Sequence, residues 1–370
     1  MQPAESARLT SLDAFRGLTV AAMILVNNPG SWAQVYAPLR HAEWHGLTPT
    51  DLVFPFFLLI VGVAIPFSLG QRLEAGSAPM ALVGRIGRRA LILVGLGLAM
   101  RAIPDFDLST MRYYGVLQRI GLVYLGVGLA FVFMGPSARM VLTVTLLLGY
   151  WLLMTQVPVP GHVAGDLSPA GNWAAWIDRQ ILDGHLWGRT WDPEGLLSTV
   201  PAMATALIGI TAGEWLRSGR ASALIMQGLL IAAVVLVATG YAWGLVFPLN
   251  KGVWTSSYVL VTAGWGLGLL ALLYWAIDVR CWRGAWQAWM VVFGMNAIIA
   301  FVASGMLTKT LLRIRVGEGD GISLYQALYE WAFRPWAGEL NGSLAFATAY
   351  VVLWWALLAA LHRRGVSLRV

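Results

Sequence analysis

Apolar runs long enough to cross a hydrocarbon layer recur along the whole chain, and no other feature narrows its folding options so far. A crossing takes roughly 20 residues of helix. Candidates stand at about 12–27, 51–71, 86–103, 112–134, 138–156, 196–216, 222–247, 254–277, 286–307 and 343–362. Charged residues make up only 12% of the 370, against 58% hydrophobic, which excludes an ordinary soluble core. The expected fold is all-α: a polytopic integral membrane protein of about ten transmembrane helices, with residues 1–370 forming one transmembrane domain.

An even number of crossings puts both termini on one side. Sorted by that count, one face carries nine more basic than acidic residues and the other three more acidic than basic. Arg119, inside a span, completes the net charge of +7. Arg85, Arg88, Arg89, Arg217, Arg220, Arg280, Arg283, Arg363 and Arg364 lie in the short segments of the first face, which the positive-inside rule assigns to the cytoplasm. Both termini are therefore expected in the cytoplasm of a protein of the inner (plasma) membrane, with residues 28–50 outside. The basic balance is this topology signal and calls for a lipid bilayer as partner, not a nucleic acid. The single cysteine, Cys281, excludes an intramolecular disulfide framework. Glu5 and Asp13 beside the first apolar run, with no small-residue cleavage site after it, predict a retained span.

The two long polar segments, 157–195 and 308–342, both fall on the outer face. The first holds Asp166, Asp178, Asp183, Asp192 and Glu194 against two arginines, an acidic surface suited to a cationic or hydroxyl-rich ligand or simply to solvent. Trp32, Trp44, Trp173, Trp187 and Trp191 lie in outer loops, where a sugar can stack on them or they can anchor in the interface. No internal repeat of the kind common in transporters is visible.

The stretch VNNPGSWAQVYAPLRHAEWHGLTPTDLVFPFF, residues 26–57, carries more chemistry than a connection needs. Asn27, Asn28, Pro29 and Gly30 read as a helix stop, but that accounts poorly for two adjacent amides. Thr48 to Asp51 read as a helix start, with Thr50 or Asp51 capping the second span and a carboxylate favoured at the positive end of the helix dipole. His41 and His45 would share a face if their segment were helical, although Gly46 and the lack of further ligands make a metal site a weak reading; no metal is expected. In WDPEG, Asp192 reads as the N-cap of the sixth span with Glu194 in its first turn, or as a pair of charges attracting an ammonium group. Asn250 and Lys251 sit at the next outer turn, as substrate contacts or plain turn residues.

The order SLDAFRG (11–17), VNN (26–28), RHAEWHGLTPTDLVFPFF (40–57), GVLQRIG (115–121), WDPEGLL (191–197), FPLNKGVWTSSYV (247–259) and FGMNAI (293–298) resembles the successive motifs of the heparan-α-glucosaminide N-acetyltransferase family, over nearly the whole chain. The resemblance implies transfer of acetyl from cytosolic acetyl-CoA, as cosubstrate, to the amino group of a terminal glucosamine across the membrane. It implies a single transmembrane acyltransferase domain whose helices surround a CoA tunnel. It places the active-site histidine at His41, the preceding Asn at Asn27 and the Asp at Asp51. The chain begins almost at SLDAFRG, without the luminal region of lysosomal members. A short, bacterial-type member acting on free glucosamine, a related aminosugar or a cell-wall fragment is therefore the expectation, with a homodimer among the expected partners.

Elementary chemistry agrees with these positions. A neutral imidazole at His41 can accept the amine's proton or carry the acetyl group. The Asn27 amide can donate to the developing oxyanion, and Asp51 can fix the imidazole tautomer. Asn28, Trp44, Asp192, Glu194, Asn250 and Lys251 are the expected substrate contacts. Arg16, Arg88, Arg89, Arg119 and Asn296 are the expected cofactor contacts, since CoA phosphates favour arginine. At roughly 1.5 Å per residue, Arg119 would lie about 12 Å inside the fourth span, where an unpaired arginine is expensive. Asn296 falls near the middle of the ninth, as a helix–helix hydrogen bond or a tunnel-lining group. The competing readings are an aminosugar transporter without acetyl transfer and a scaffold protein.

Overall fold

The computed structural model describes residues 9–188, 190–317 and 321–365. Among these the secondary structure is almost wholly helical: α1 (Thr10–Asn27), α2 (Val53–Ile65), α3 (Gln71–Glu74), α4 (Pro79–Ala102), α5 (Val116–Phe133), α6 (Pro136–Gln156), α7 (Trp173–Leu182), α8 (Thr199–Leu216), α9 (Ser222–Gly244), α10 (Ser256–Leu273), α11 (Ala285–Met295), α12 (Ala297–Arg313), α13 (Leu324–Ala332) and α14 (Arg334–Arg363). A two-residue antiparallel ladder, β1 (Arg315–Val316) with β2 (Ile322–Ser323), is the strand pairing present. Short 3₁₀ turns cover Ala37–Leu39 and Pro49–Leu52, and π-type turns continue α2 and α10.

Six helical stretches among the described residues have the length and apolar character to cross a membrane: Pro49–Glu74, Val116–Phe133, Pro136–Gln156, Ser222–Gly244, Ser256–Val279 and Arg334–Arg363. A seventh is the pair α11 and α12, bent by 78° at Asn296. The all-α membrane class expected from the sequence holds, but its count of about ten is not reached on length and composition. The difference lies in α1, α4 and α8, which have 18, 24 and 18 residues but dilute their apolar faces with polar groups. Asp13 and Arg16 do so in α1, Arg85, Arg88, Arg89 and Arg101 in α4, and Glu214 with several threonines in α8.

The chain forms two compact units. Within the described residues, the first comprises 9–41, 48–54 and 269–365. Its closest helix contact is α1 on α11, made possible by absent side chains. A Cβ on Gly17 would lie 1.6 Å from the Met290 carbonyl oxygen, and one on Gly294 would lie 1.9 Å from that of Asp13. Small residues at such crossings let backbones touch where lipid supplies no hydrophobic drive. The start of α1 is held by Asp278, whose carboxylate accepts from the Thr10 and Ser11 N–H groups at 3.2 and 3.1 Å, a negative charge at the positive helix end. Tyr325, Tyr329 and Phe346 form an aromatic core between α13 and α14.

The second unit comprises 42–47 and 55–268. Here α2 and α8 approach through Gly62, Gly209 and Gly213, where added Cβ atoms would sit 2.0, 2.3 and 2.4 Å from carbonyl oxygens of the facing helix. A core of Tyr150, Met154, Ala174, Phe247 and Val253 carries Trp44 and Trp173 on its rim. That core fixes the loops of this unit that hold chemistry.

Candidate functional site

In the first unit the chain leaves α1 at Asn27 and reaches a 3₁₀ turn at Ala37–Leu39. The segment after Leu39 is not helical, so the i,i+4 reading of His41 and His45 is replaced. Gly46 takes φ of +124°, a left-handed conformation no helix admits, and the two histidines do not share a helix face. His41 is instead fastened to the next turn: its Nδ1 lies 2.7 Å from Asp51 Oδ1. Asp51 is buried, its side chain 1% exposed, while that of His41 is 46% exposed.

Asp51 owes its position to the sequence TPTD. Pro49 opens the 3₁₀ turn, Asp51 Oδ2 accepts from the Thr48 N–H at 3.1 Å, and the Thr48 side chain accepts in return from the Asp51 N–H, the reciprocal cap of a helix start. The Thr48 hydroxyl lies 2.9 Å from Asp51 Oδ2 and 2.7 Å from the Arg40 carbonyl, two acceptors that share its one proton. Thr50 donates to the Pro38 carbonyl at 3.2 Å. With a carboxylate oxygen as partner, Nδ1 of neutral His41 carries the proton and the basic lone pair belongs to Nε2. That is an imidazole oriented to take a proton.

The adjacent asparagines divide sharply. Asn27 is exposed at the end of α1. Asn28 is buried; its Nδ2 donates to the Ile24 carbonyl at 2.7 Å and its Oδ1 accepts from Thr308 at 2.6 Å, within a group that includes Tyr350. Asn28 therefore ties α1 to α12 and α14. Arg16 pairs with Asp13 at 3.2 Å. Asn296 is not in the middle of a straight span but at the α11–α12 break. It is fully buried, with Nδ2 donating to Val292 at 3.3 Å and Oδ1 without a hydrogen-bond partner.

In the second unit, Asp192 and Glu194 are neither a helix start nor open charges. Arg112 grips Asp192 through Nε at 2.7 Å and Nη2 at 2.5 Å, and Nη2 also meets Glu194. Helix α8 begins only at Thr199, with Ser198 as its cap residue. The reason is competition for backbone groups. Asp192 takes the N–H of Trp187 and Glu194, Asp178 takes that of Leu196 at 2.8 Å, and Arg119 donates to the Gly195 carbonyl and to Ser198. Side chains thus satisfy the groups that a helix from Pro193 would otherwise use.

Arg119 itself lies in the first turn of α5, not deep inside it, because that helix starts at Val116. It is fully buried, its guanidinium 5.1 Å from the Trp254 ring, with Nε and Nη1 lacking hydrogen-bond partners. Asp178 is buried as well, and one carboxylate oxygen has no partner. Burial, reinforced by Asp192, pushes its pKa up to about 6 against the pull of the Leu196 N–H, Arg119 and Arg179. Sequence reading missed Arg112 as a partner, since 80 residues separate it from Asp192 and a lone loop arginine gives no signal.

The remaining candidates of this unit lie on α4, the 42–47 segment and the 249–253 turn. On α4, Arg88 is exposed, whereas Arg89 lies over the Tyr124 ring at 4.6 Å with its Nε unpartnered. At the 249–253 turn, Gly46 donates to the Leu249 carbonyl at 2.8 Å, and Trp44 Nε1 donates to Leu167 at 2.8 Å. Trp44 and Trp191 meet edge to face at 4.9 Å. Gly252 makes room for both: a Cβ there would sit 2.9 and 3.0 Å from their rings. Asn250 is buried in this turn and Lys251 is half-buried. Trp44 and Asn250 are thus brought together.

A chain almost wholly helical among its described residues, with several apolar helices long enough to cross a membrane, defines an integral membrane protein, and its His41 is held by a buried carboxylate beside a helix start. Residues 8–242 match the family model described as heparan-alpha-glucosaminide N-acetyltransferase, catalytic. Human heparan-alpha-glucosaminide N-acetyltransferase is 31% identical over 356 residues, covering 80% of this chain and 52% of that protein. The mouse protein of the same name is 31% identical over 359 residues, covering 81% and 54%. The chain spans about half the length of these relatives. It belongs to the heparan-alpha-glucosaminide N-acetyltransferase family.

Proposed function

We propose that the protein is a transmembrane N-acetyltransferase that moves acetyl from acetyl-CoA at the cytoplasmic face to the amino group of glucosamine or a related aminosugar outside. The observation that carries this reading is the 2.7 Å contact of His41 Nδ1 with buried Asp51. The donor supplies a thioester-activated acetyl group. Transfer forms a C–N bond and breaks the thioester C–S bond, CoA leaving as the thiol once it regains the proton that the attacking amine must first shed. His41 Nε2 takes that proton, and Asp51, itself held by Thr48, keeps the ring in the tautomer that can do so and stabilises the imidazolium that results. Exposed Asn27 is the amide available to a developing oxyanion; Asn28, spent on Ile24 and Thr308, is not.

The chain has polar groups suited to a long anionic donor. Arg88 offers a solvent-facing guanidinium for phosphate, and Arg89 Nε, Arg119 Nε and Nη1 and Asn296 Oδ1 are buried without hydrogen-bond partners, as groups awaiting a ligand or a water would be. In the first unit, the Arg16 guanidinium, paired with Asp13, is of the type that phosphate favours. Trp44, Asn250 and Lys251 are the acceptor contacts. Asp192 and Glu194, neutralised by Arg112, shape a loop instead. The charge asymmetry of the short segments supports residues 28–50 as external. A cysteine at Ala37 or Glu43 in a Cys281→Ser background should react with a membrane-impermeant thiol reagent in intact cells, and one at Gly84 only after permeabilisation. Reversed labelling overturns the sidedness.

A further inference from the structure

His45 is the one histidine of residues 26–57 that the reading above leaves without work, and its hydrogen bonding defines its protonation. Asn250 Oδ1 accepts the Val253 N–H at 3.0 Å, which fixes the orientation of that amide. Asn250 Nδ2, a donor only, is then the group 3.3 Å from His45 Nδ1. Nδ1 must accept, so the ring proton sits on Nε2, and a second proton at Nδ1 would set donor against donor. Burial of part of the ring acts in the same direction and lowers the His45 pKa from its ordinary value. Yet the residue as a whole is exposed. It is a neutral N–H donor presented to solvent.

The donor stands on a stiff base. Asn250 is fully buried, its own N–H donating to Thr255 at 3.0 Å, and the Gly46–Leu249 bond fastens the histidine segment to the same turn. Beside His45 stand Trp44, with ring centroids 6.1 Å apart, then Trp191 and Trp187 in successive edge-to-face contacts. Trp187 is 62% exposed. Trp44 and Trp191 are partly exposed beside it. A pyranose ring matches this set: its C–H face lies on an indole, and its equatorial hydroxyls seek fixed donors and acceptors.

We propose that His45 is a specificity-determining residue of the acceptor subsite, donating its Nε2–H to a ring hydroxyl of a sugar that stacks on the Trp44, Trp191 and Trp187 group. The assignment rests on the aminosugar acetyltransferase reading for its kinetic consequence, but not for sugar binding itself. The test measures steady-state kinetics of wild type, His45→Leu and His45→Gln with acetyl-CoA and glucosamine, together with saturation-transfer NMR of glucosamine on the same proteins without acetyl-CoA. A single hydrogen bond of this kind predicts a rise of about 5- to 10-fold in the acceptor KM of His45→Leu. The acetyl-CoA KM and kcat should stay within about 2-fold, His45→Gln should recover most of the loss, and the sugar's saturation transfer should fall in parallel. An unchanged acceptor KM, or a fall in kcat alone, overturns the assignment, as does wild-type protein that gives glucosamine no saturation transfer. If His45→Leu does not fold, His45→Ser makes the same comparison. Wild type without acetyl transfer but with His45-dependent saturation transfer would defeat the acetyltransferase reading and leave this one standing.

Discussion

Replacing Asp178 by asparagine isolates the energetic cost of one buried charge. Asparagine keeps the shape and the oxygen that accepts the Leu196 N–H, but never ionises. Below the ordinary value of 3.8 the aspartate is protonated in both folded and unfolded chains, and its effect on stability is fully present. Between 3.8 and about 6 the folded state holds a proton that the unfolded state has lost, so stability declines as pH rises; above about 6 the loss is complete. At roughly 1.36 kcal/mol per pH unit the whole effect is about 3 kcal/mol. At about 2 °C per kcal/mol, that is a melting difference of about 6 °C. The assay is the melting temperature of wild type and Asp178→Asn in one detergent from pH 4 to 8. Every other titration cancels in the difference, which should grow from near zero at pH 4 to about 6 °C in favour of the variant at pH 7.5. A difference independent of pH, or a variant that loses ground as pH rises, would refute the reasoning and mean that Arg119 neutralises Asp178 completely.

Arg112→Met should cost about 3–5 kcal/mol, because it strands two buried carboxylates; a melting temperature near that of wild type would contradict the network. Asn28→Leu should destabilise by about 2–4 kcal/mol through two lost buried hydrogen bonds, while Asn27→Ala should leave melting unchanged and depress kcat. Parallel effects of the two in either assay would deny the division of labour between them. Asp51→Asn should lower kcat by at least about 100-fold with the acetyl-CoA KM nearly constant, measured at saturating acceptor; retention of wild-type kcat would remove Asp51 from the mechanism.

What the sequence disclosed and what it hid follow one division. Local grammar was legible: apolar runs gave the helical membrane class, and TPTD gave a helix start, although its cap is Thr48 and not Thr50 or Asp51. Pairing over long separations was not. Nothing near Asp192 announces Arg112, and without that partner WDPEG reads as an ordinary helix start. Part of what sets Asn28 apart from Asn27 is Thr308, 280 residues away. The span count exceeded what length and composition support because α1, α4 and α8 mix polar groups into apolar runs. His45 was opaque for the same reason: its tautomer is set by Asn250, which is set in turn by Val253.

The central claim is acetyl transfer that depends on His41 and crosses the bilayer. Its most direct test is purified protein in sealed liposomes, oriented by selection, with radiolabelled acetyl-CoA inside and glucosamine outside. The account predicts labelled N-acetylglucosamine outside with wild type. His41→Ala, whose replaced side chain is half exposed and contributes little packing, should give no more than a few per cent of that rate with unchanged melting. Transfer undiminished by His41→Ala, or glucosamine carried inward with no acetylated product, would contradict it.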